Sequence, residues 1–411
     1  MINSMELSEI FEKVATSDIE TVEIRHRGLS DENANELSRA LAINDNLIEL
    51  NVSSSRISSL GITTVCHGIP RCLKHLFLSY NPITTNSAAS ALAKVLKTTT
   101  LQKLYLNNCQ LTNQVLSESL GSLSPSKNDG AASSLEKLKI SQNNLSSEEG
   151  ETRDDCKKIG YYLAFCTALR VLDISSNQFS NLQPLQLYRI ESLQELIATD
   201  NKMKNDGHAL GDVIRYCLNL KVLDISDNKN LTKKFFQEAF VAGGQQLALE
   251  VLILSLNSIG DDETVHLATL FLPRAIRLQC LDMARNNIGD RGAQALACYL
   301  ETASTIHLRT LDLHRNKFSN NGGEALVDSL VRSNFYLTEL SIHGNFITNS
   351  NLYRQGRFYG KLNKVGHYIL QQQHCNNVPI ALWPYVLRKM NILLDVRYYF
   401  LRRLPEIFLL R

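Results

Sequence analysis

Leu278-x-x-Leu281-x-Met283-x-x-Asn286-x-Ile288 is the stretch on which the reading of this chain turns. It returns as Leu308-x-x-Leu311-x-Leu313-x-x-Asn316-x-Phe318, and again as Leu337-x-x-Leu340-x-Ile342-x-x-Asn345-x-Ile347. Apolar residues at positions 4 and 6 have the two-residue period of a strand with one face buried. Position 9 marks a sharp turn inside the fold. A buried side chain there must satisfy backbone groups, and an amide both donates and accepts. After each phrase comes an amphipathic helix pattern, as in Gly-Ala-Gln-Ala-Leu-Ala-Cys-Tyr-Leu at 292–300, with apolar residues at i, i+3, i+4 and i+7.

Working outward, the phrase occurs twelve times, starting at Ile19, Leu47, Leu73, Leu101, Leu135, Leu169, Leu193, Leu220, Leu249, Leu278, Leu308 and Leu337. Spacing runs from 24 residues (Leu169 to Leu193) to 34 (Leu101 to Leu135). Position 9 is Asn or Cys in ten of the twelve; the exceptions, Arg27 and Ser55, lie in the first two units, where terminal repeats are atypical. The second half of each unit is expected to be helical, and its small residues let helix approach strand. The long units carry insertions, a loop at 121–134 and an acidic run at 146–155 that suits a helix N-terminus.

A unit of this length with a full helix resembles the ribonuclease-inhibitor type of leucine-rich repeat, over residues 19–351. The resemblance implies an α/β solenoid, a horseshoe with a parallel concave sheet, convex helices and about twelve repeats. It also implies caps. Residues 1–18 are read as an N-terminal capping helix with Leu7, Ile10, Phe11 and Val14 on one face, and 352–411 as a basic helical C-terminal cap. That end holds ten Lys or Arg against Asp395 and Glu406, in a chain whose total charge is only +2. Its Val378-Pro379-x-x-Leu382-Trp383-Pro384 and Tyr398-Tyr399-x-Leu401-Arg402 are similar to a module of algal repeat proteins. Its aromatics and charge also suit anionic lipid or RNA, but a packed cap is the reading taken, and no nucleic-acid partner is expected.

The family resembled includes ribonuclease inhibitor, the Ran GTPase-activating protein, tropomodulin, the CARMIL regulators and NLR-type sensors. It implies a non-enzymatic scaffold that binds a protein through its concave face. The alternatives carried with it are a GTPase activator and an actin-cytoskeleton regulator of the CARMIL or tropomodulin kind. The activator it resembles ends in an acidic tail, whereas this chain ends basic.

Nine cysteines, an odd number without a Cys-x-x-Cys, are read as reduced buried thiols on apolar repeat positions, Cys166 and Cys298 among them. With no secretory signal and no run of eighteen apolar residues, a cytoplasmic protein is expected. The phosphate-loop pattern fails at Gly356-x-x-x-Gly360-Lys361, which has three spacers and Leu362 in place of Ser or Thr. No cofactor is expected.

Positions 3, 5 and 7 of each phrase face outward, so the sequence yields three surface columns. One patch stands out: His75, Phe77, Lys103, Tyr105, Lys137 and Lys139. Exposed aromatics framed by lysines suit an acidic protein surface, since aromatics anchor and charges orient. A second group, Asp282, Asp312, His314 and His343, has donor types that suit a metal, but no nucleophile lies near it and no metal or catalytic site is assigned.

Overall fold

The computed structural model describes residues 6–16, 19–124, 134–148, 151–204, 206–240, 247–302, 307–332 and 336–372. Most of the 121–134 loop and the segments read after Val378 lie outside them. The chain packs as two compact units, Met1–Ile259 and Gly260–Arg411.

The first unit holds nine three-residue strands: β1 Thr21–Glu23, β2 Glu49–Asn51, β3 His75–Phe77, β4 Lys103–Tyr105, β5 Lys137–Lys139, β6 Val171–Asp173, β7 Glu195–Ile197, β8 Val222–Asp224 and β9 Val251–Ile253. They pair in parallel and in chain order, and the register places equal positions of the phrase opposite one another: His75 beside Lys103 beside Lys137, Phe77 beside Tyr105 beside Lys139. The second unit repeats this with β10 Cys280–Asp282, β11 Thr310–Asp312 and β12 Glu339–Ser341. Each unit is a leucine-rich repeat solenoid, with strands on one side and helices on the other.

The inner layer follows from the sequence period. Leu50, Leu76, Leu138, Leu172, Leu196 and Leu223, at position 4, are fully buried, as are Leu78, Leu106 and Ile140 at position 6. Each contributes about 1.5–3 kcal/mol by leaving water. The helices close the other side; Asn86–Thr98 buries Ala88, Ala89, Ala91, Leu92 and Val95. Thr85, its N-cap, accepts the Ala88 N–H on its side chain, as Thr112 and Thr232 do for their helices. Helix Leu7–Ala15 buries Ile10, Phe11 and Val14 against the helix Asp31–Ile43.

Position 9 forms a buried ladder. Asn143 accepts from the Cys109 and Leu111 N–H groups at 2.9 and 3.0 Å, and donates to the Leu106 and Ile140 carbonyls at 2.8 and 2.9 Å. Asn81 and Asn177 repeat the pattern. At Ser55, an exception to the amide rule, the hydroxyl donates to the Ile24 carbonyl at 2.6 Å. Cys109 puts its thiol 3.5 Å from the Leu78 carbonyl.

Two expectations fail. The unit between β6 and β7 has no α-helix; it crosses in two 3₁₀ turns, Gln183–Leu185 and Leu187–Arg189. It is the 24-residue unit, and Pro184 with a left-handed Gln186 (φ 43°) keeps its backbone out of a longer helix. Cys298 is exposed rather than buried, because it sits on the solvent side of the helix Asp290–Thr302.

Cys66, Cys109, Cys156, Cys166 and Cys217 are buried. Burial pushes the thiols of Cys66, Cys109, Cys156 and Cys217 up to about 12. Native protein at pH 8 should therefore incorporate iodoacetamide at Cys298 and leave these four unlabelled until denaturant is added, read by peptide mass spectrometry. The same shift sets a sign for stability. The folded state favours the protonated thiol, so stability is retained below pH 9, the ordinary thiol value, and falls as pH rises from there toward 12.

Candidate functional site

The strands β3, β4 and β5 present two residues each on the outward side of the first unit's sheet, and these are the six residues singled out above. All six are half-buried. The register places them as one block of three rows and two columns, with rows about 4.8 Å apart. The Phe77 and Tyr105 rings meet edge to face, centroids 4.7 Å apart at 76°. His75 lies 6.5 Å from Phe77. On the other side, Lys139 Nζ sits over the Tyr105 ring at 5.3 Å. An edge-to-face pair with a cation on one ring restricts the rotamers of all three side chains.

Glu49 on β2 belongs to this block, although it was not counted in it. Its Oε2 lies 3.0 Å from His75 Nδ1. Burial, and then the Glu49 charge, raise the Tyr105 hydroxyl above its ordinary value, so the ring presents a neutral O–H donor at physiological pH. The signal was legible: Glu49 occupies the same column, one strand before His75.

A local hydrogen bond recurs along the sheet and depends on the residue at position 5, which is neither Asn nor Asp on β3–β5 and also on β1, β7, β9 and β12 (Glu23, Ile197, Ile253 and Ser341). Where position 5 is Asn or Asp, its Oδ1 accepts the N–H two residues on: Asn51 from Ser53, Asp173 from Ser175, Asp224 from Ser226, Asp282 from Ala284 and Asp312 from His314, at 2.9–3.1 Å. That acceptor serves the strand end, which accounts for the recurring Leu-Asp wording. On β4 and β5 the task moves elsewhere. The Asn107 N–H goes to Ser79 Oγ and the Ser141 N–H to Asn107 Oδ1, both at 3.1 Å. Position 5 is thereby released from backbone service, and the released positions hold Tyr105 and Lys139.

Lys103 and Lys137 stand directly opposite each other on adjacent strands, with Lys139 beside them. Facing like charges cost folding stability. Among the described residues, none of the three lysines is in an ion pair.

The second group is arranged differently. His314 and His343 stack, centroids 4.9 Å apart and 7° from parallel. Each Nδ1 is engaged within its own strand end, His314 with Asp312 Oδ1 at 2.8 Å and His343 with Ser341 Oγ at 3.1 Å. The rings face each other rather than converging on a shared point, as ligands of one metal must.

Comparison with known proteins agrees with this architecture. Leucine Rich Repeat family profiles match residues 100–123, 278–297 and 306–327. The chain is similar to mouse ribonuclease inhibitor, 27% identical over 306 residues, covering 71% of this chain and 63% of that protein. It is 34% identical over 119 residues to human NLRC5, covering 28% of this chain. The chain thus spans less than two thirds of either relative, and only 6% of NLRC5. A crystal structure of an internalin from Listeria monocytogenes shares the fold at 19% identity, with a TM-score of 0.50 over 84% of this chain and 86% of that one. Among the described residues no helix is long and apolar enough to cross a membrane.

Proposed function

We propose, from the premise that this is a leucine-rich repeat protein of the ribonuclease-inhibitor type, that it is a binding scaffold that grips a protein partner on the outward face of β3–β5. The chemistry is adhesion: Phe77 and Tyr105 anchor, and Lys103, Lys137 and Lys139 orient an acidic surface over them. His75, held by Glu49, closes the first row. The observation that carries this reading is the gathering of like charge around an aromatic pair. Phe77 and Tyr105 pack edge to face with Lys139 over one ring, and Lys103 faces Lys137 across adjacent strands at a cost to folding. Residues retained against local stability are explained by what they bind. A rigid array pays little ordering entropy, so a small anchor suffices for affinity.

The test is capture. Full-length protein carrying Phe77→Ala with Tyr105→Ala should recover none of the partners that the parent recovers from lysate, while its thermal midpoint stays within about 2 °C, since half-exposed side chains on a sheet face contribute little to the core. Unchanged capture would remove this face from consideration. A GTPase activator would instead speed phosphate release from a GTP-loaded small GTPase, and an actin regulator would cosediment with filaments; the same preparations answer both.

A further inference from the structure

The outward face of the first unit changes sign along the stack of strands. After the lysines of β4 and β5 come Asp173 on β6, Glu195 on β7 and Asp224 on β8, in register with them. The two charge groups leave each other unneutralised. Lys139 and Asp173 are register partners, yet among the described residues they form no ion pair, and neither does Glu195 or Asp224. Burial, and after it the Asp173 charge, raise the Asp224 carboxyl above its ordinary range, as expected of carboxylates with no cation at hand. Ile197, between Asp173 and Asp224, adds an apolar contact.

We propose that this face reads a bipolar helix of a partner protein, lying across the strands with carboxylates over Lys103, Lys137 and Lys139 and Lys or Arg over Asp173, Glu195 and Asp224. The inference rests on the binding face proposed above and specifies its partner. Geometry sets the dimensions. From the middle of β4–β5 to β7 is two and a half strand spacings, about 12 Å. At 1.5 Å per residue that is about eight helical residues, which returns to the same helix face. The width from position 3 to position 7 is about 13 Å, close to a helix diameter of 10–12 Å. A uniformly acidic partner would be drawn by one half and repelled by the other.

The experiment uses the full chain and two fluorescein-labelled alanine-based helical peptides, read by anisotropy. One carries three Glu in its first half and three Lys in its second, with centroids about eight residues apart; the other carries the three Glu only. The parent should bind the bipolar peptide roughly 10-fold more tightly, a difference that shrinks with salt. Asp173→Asn with Glu195→Gln and Asp224→Asn keeps the position-5 acceptors and should erase the preference. If that triple variant melts early, Glu195→Gln alone should reduce the preference. Equal binding of the two peptides to the parent, a preference that survives neutralisation, or no binding at millimolar peptide would overturn the bipolar reading. Lys103→Glu with Lys137→Glu separates the two levels. Loss of both peptides' binding supports the face itself, and binding unaffected by this change would remove the face and the inference together.

Discussion

Asn143→Ala should cost the fold at least about 3 kcal/mol, seen as a large drop in the urea midpoint. The figure follows from what the amide serves. Removing it strands the Cys109 N–H, the Leu111 N–H and the Leu106 carbonyl, for which the Asn143 side chain is the hydrogen-bond partner. The Ile140 carbonyl keeps a second donor, Asn177 Nδ2 at 3.1 Å. Asn143 is 6% exposed, so water does not reach the vacated groups. Each buried group left unpaired costs about 1–3 kcal/mol. Against a typical total of 5–15 kcal/mol, this is enough to part the array between its fourth and fifth repeats. Asn143→Cys should cost less than Asn143→Ala, because Cys109 performs a reduced version of the task with a thiol donor. An alanine variant within about 0.5 kcal/mol of the parent, the scatter of an ordinary surface change, would mean the ladder contributes nothing.

The ladder and the columns are the part of this protein that its sequence states outright. A two-residue period puts every second strand residue outward, and equal phrase positions must align when strands stack in parallel. His75, Lys103 and Lys137 were therefore neighbours on paper before they were neighbours in space. Other features left no trace in residue type. Position 8 of the phrase is left-handed at His26, Ser54, Tyr80, Asn108, Gln142, Ser176, Asp200, Asp227, Leu256, Arg285 and Arg315, with φ between 49° and 62°. Only Gly344 announces that conformation by its identity. Most of these side chains are exposed, with Ser54, Ser176, Asp227 and Leu256 half-buried, and the turn is imposed by the strand before and the buried amide after. With the backbone fixed from both sides, the sequence has no need of glycine there. The Asp of Leu-Asp was visible, but its bond to the N–H two residues on was not, and that bond is what distinguishes structural carboxylates such as Asp312 from the released positions Tyr105 and Lys139.

Gly160→Ala should be nearly as damaging as loss of the ladder amide, for a reason that joins the short unit to its neighbour. A Cβ at Gly160 would stand 2.2 Å from the Leu185 carbonyl oxygen and 2.6 Å from its carbon. Gly160 lies in the helix Glu151–Leu163, and Leu185 ends the first 3₁₀ turn of the 24-residue unit. Without a helix of its own, that unit covers the core by pressing backbone onto backbone. Leu182, Leu185, Leu187 and Ile190 are all within 2% of full burial as a result. Alanine must push the turn outward by about 1 Å, opening the contact beneath these four side chains, a loss at the upper end of the about 1–3 kcal/mol that overpacking a close-packed interior costs, because the clash is with backbone. Helix propensity alone argues the opposite, since alanine is favoured over glycine inside a helix by about 1 kcal/mol. Gly121→Ala supplies the contrast. That residue has φ −58°, and its added Cβ would meet the Tyr162 ring and hydroxyl at 3.8 Å or more, an ordinary contact. It should leave stability unchanged or raise it slightly. A denaturation series in which Gly160→Ala falls, Gly121→Ala does not, and Leu185 amide exchange accelerates only in the first would assign the cost to the backbone approach rather than to the residue type. Equal melting of the two variants would show that the short unit has slack the packing does not suggest.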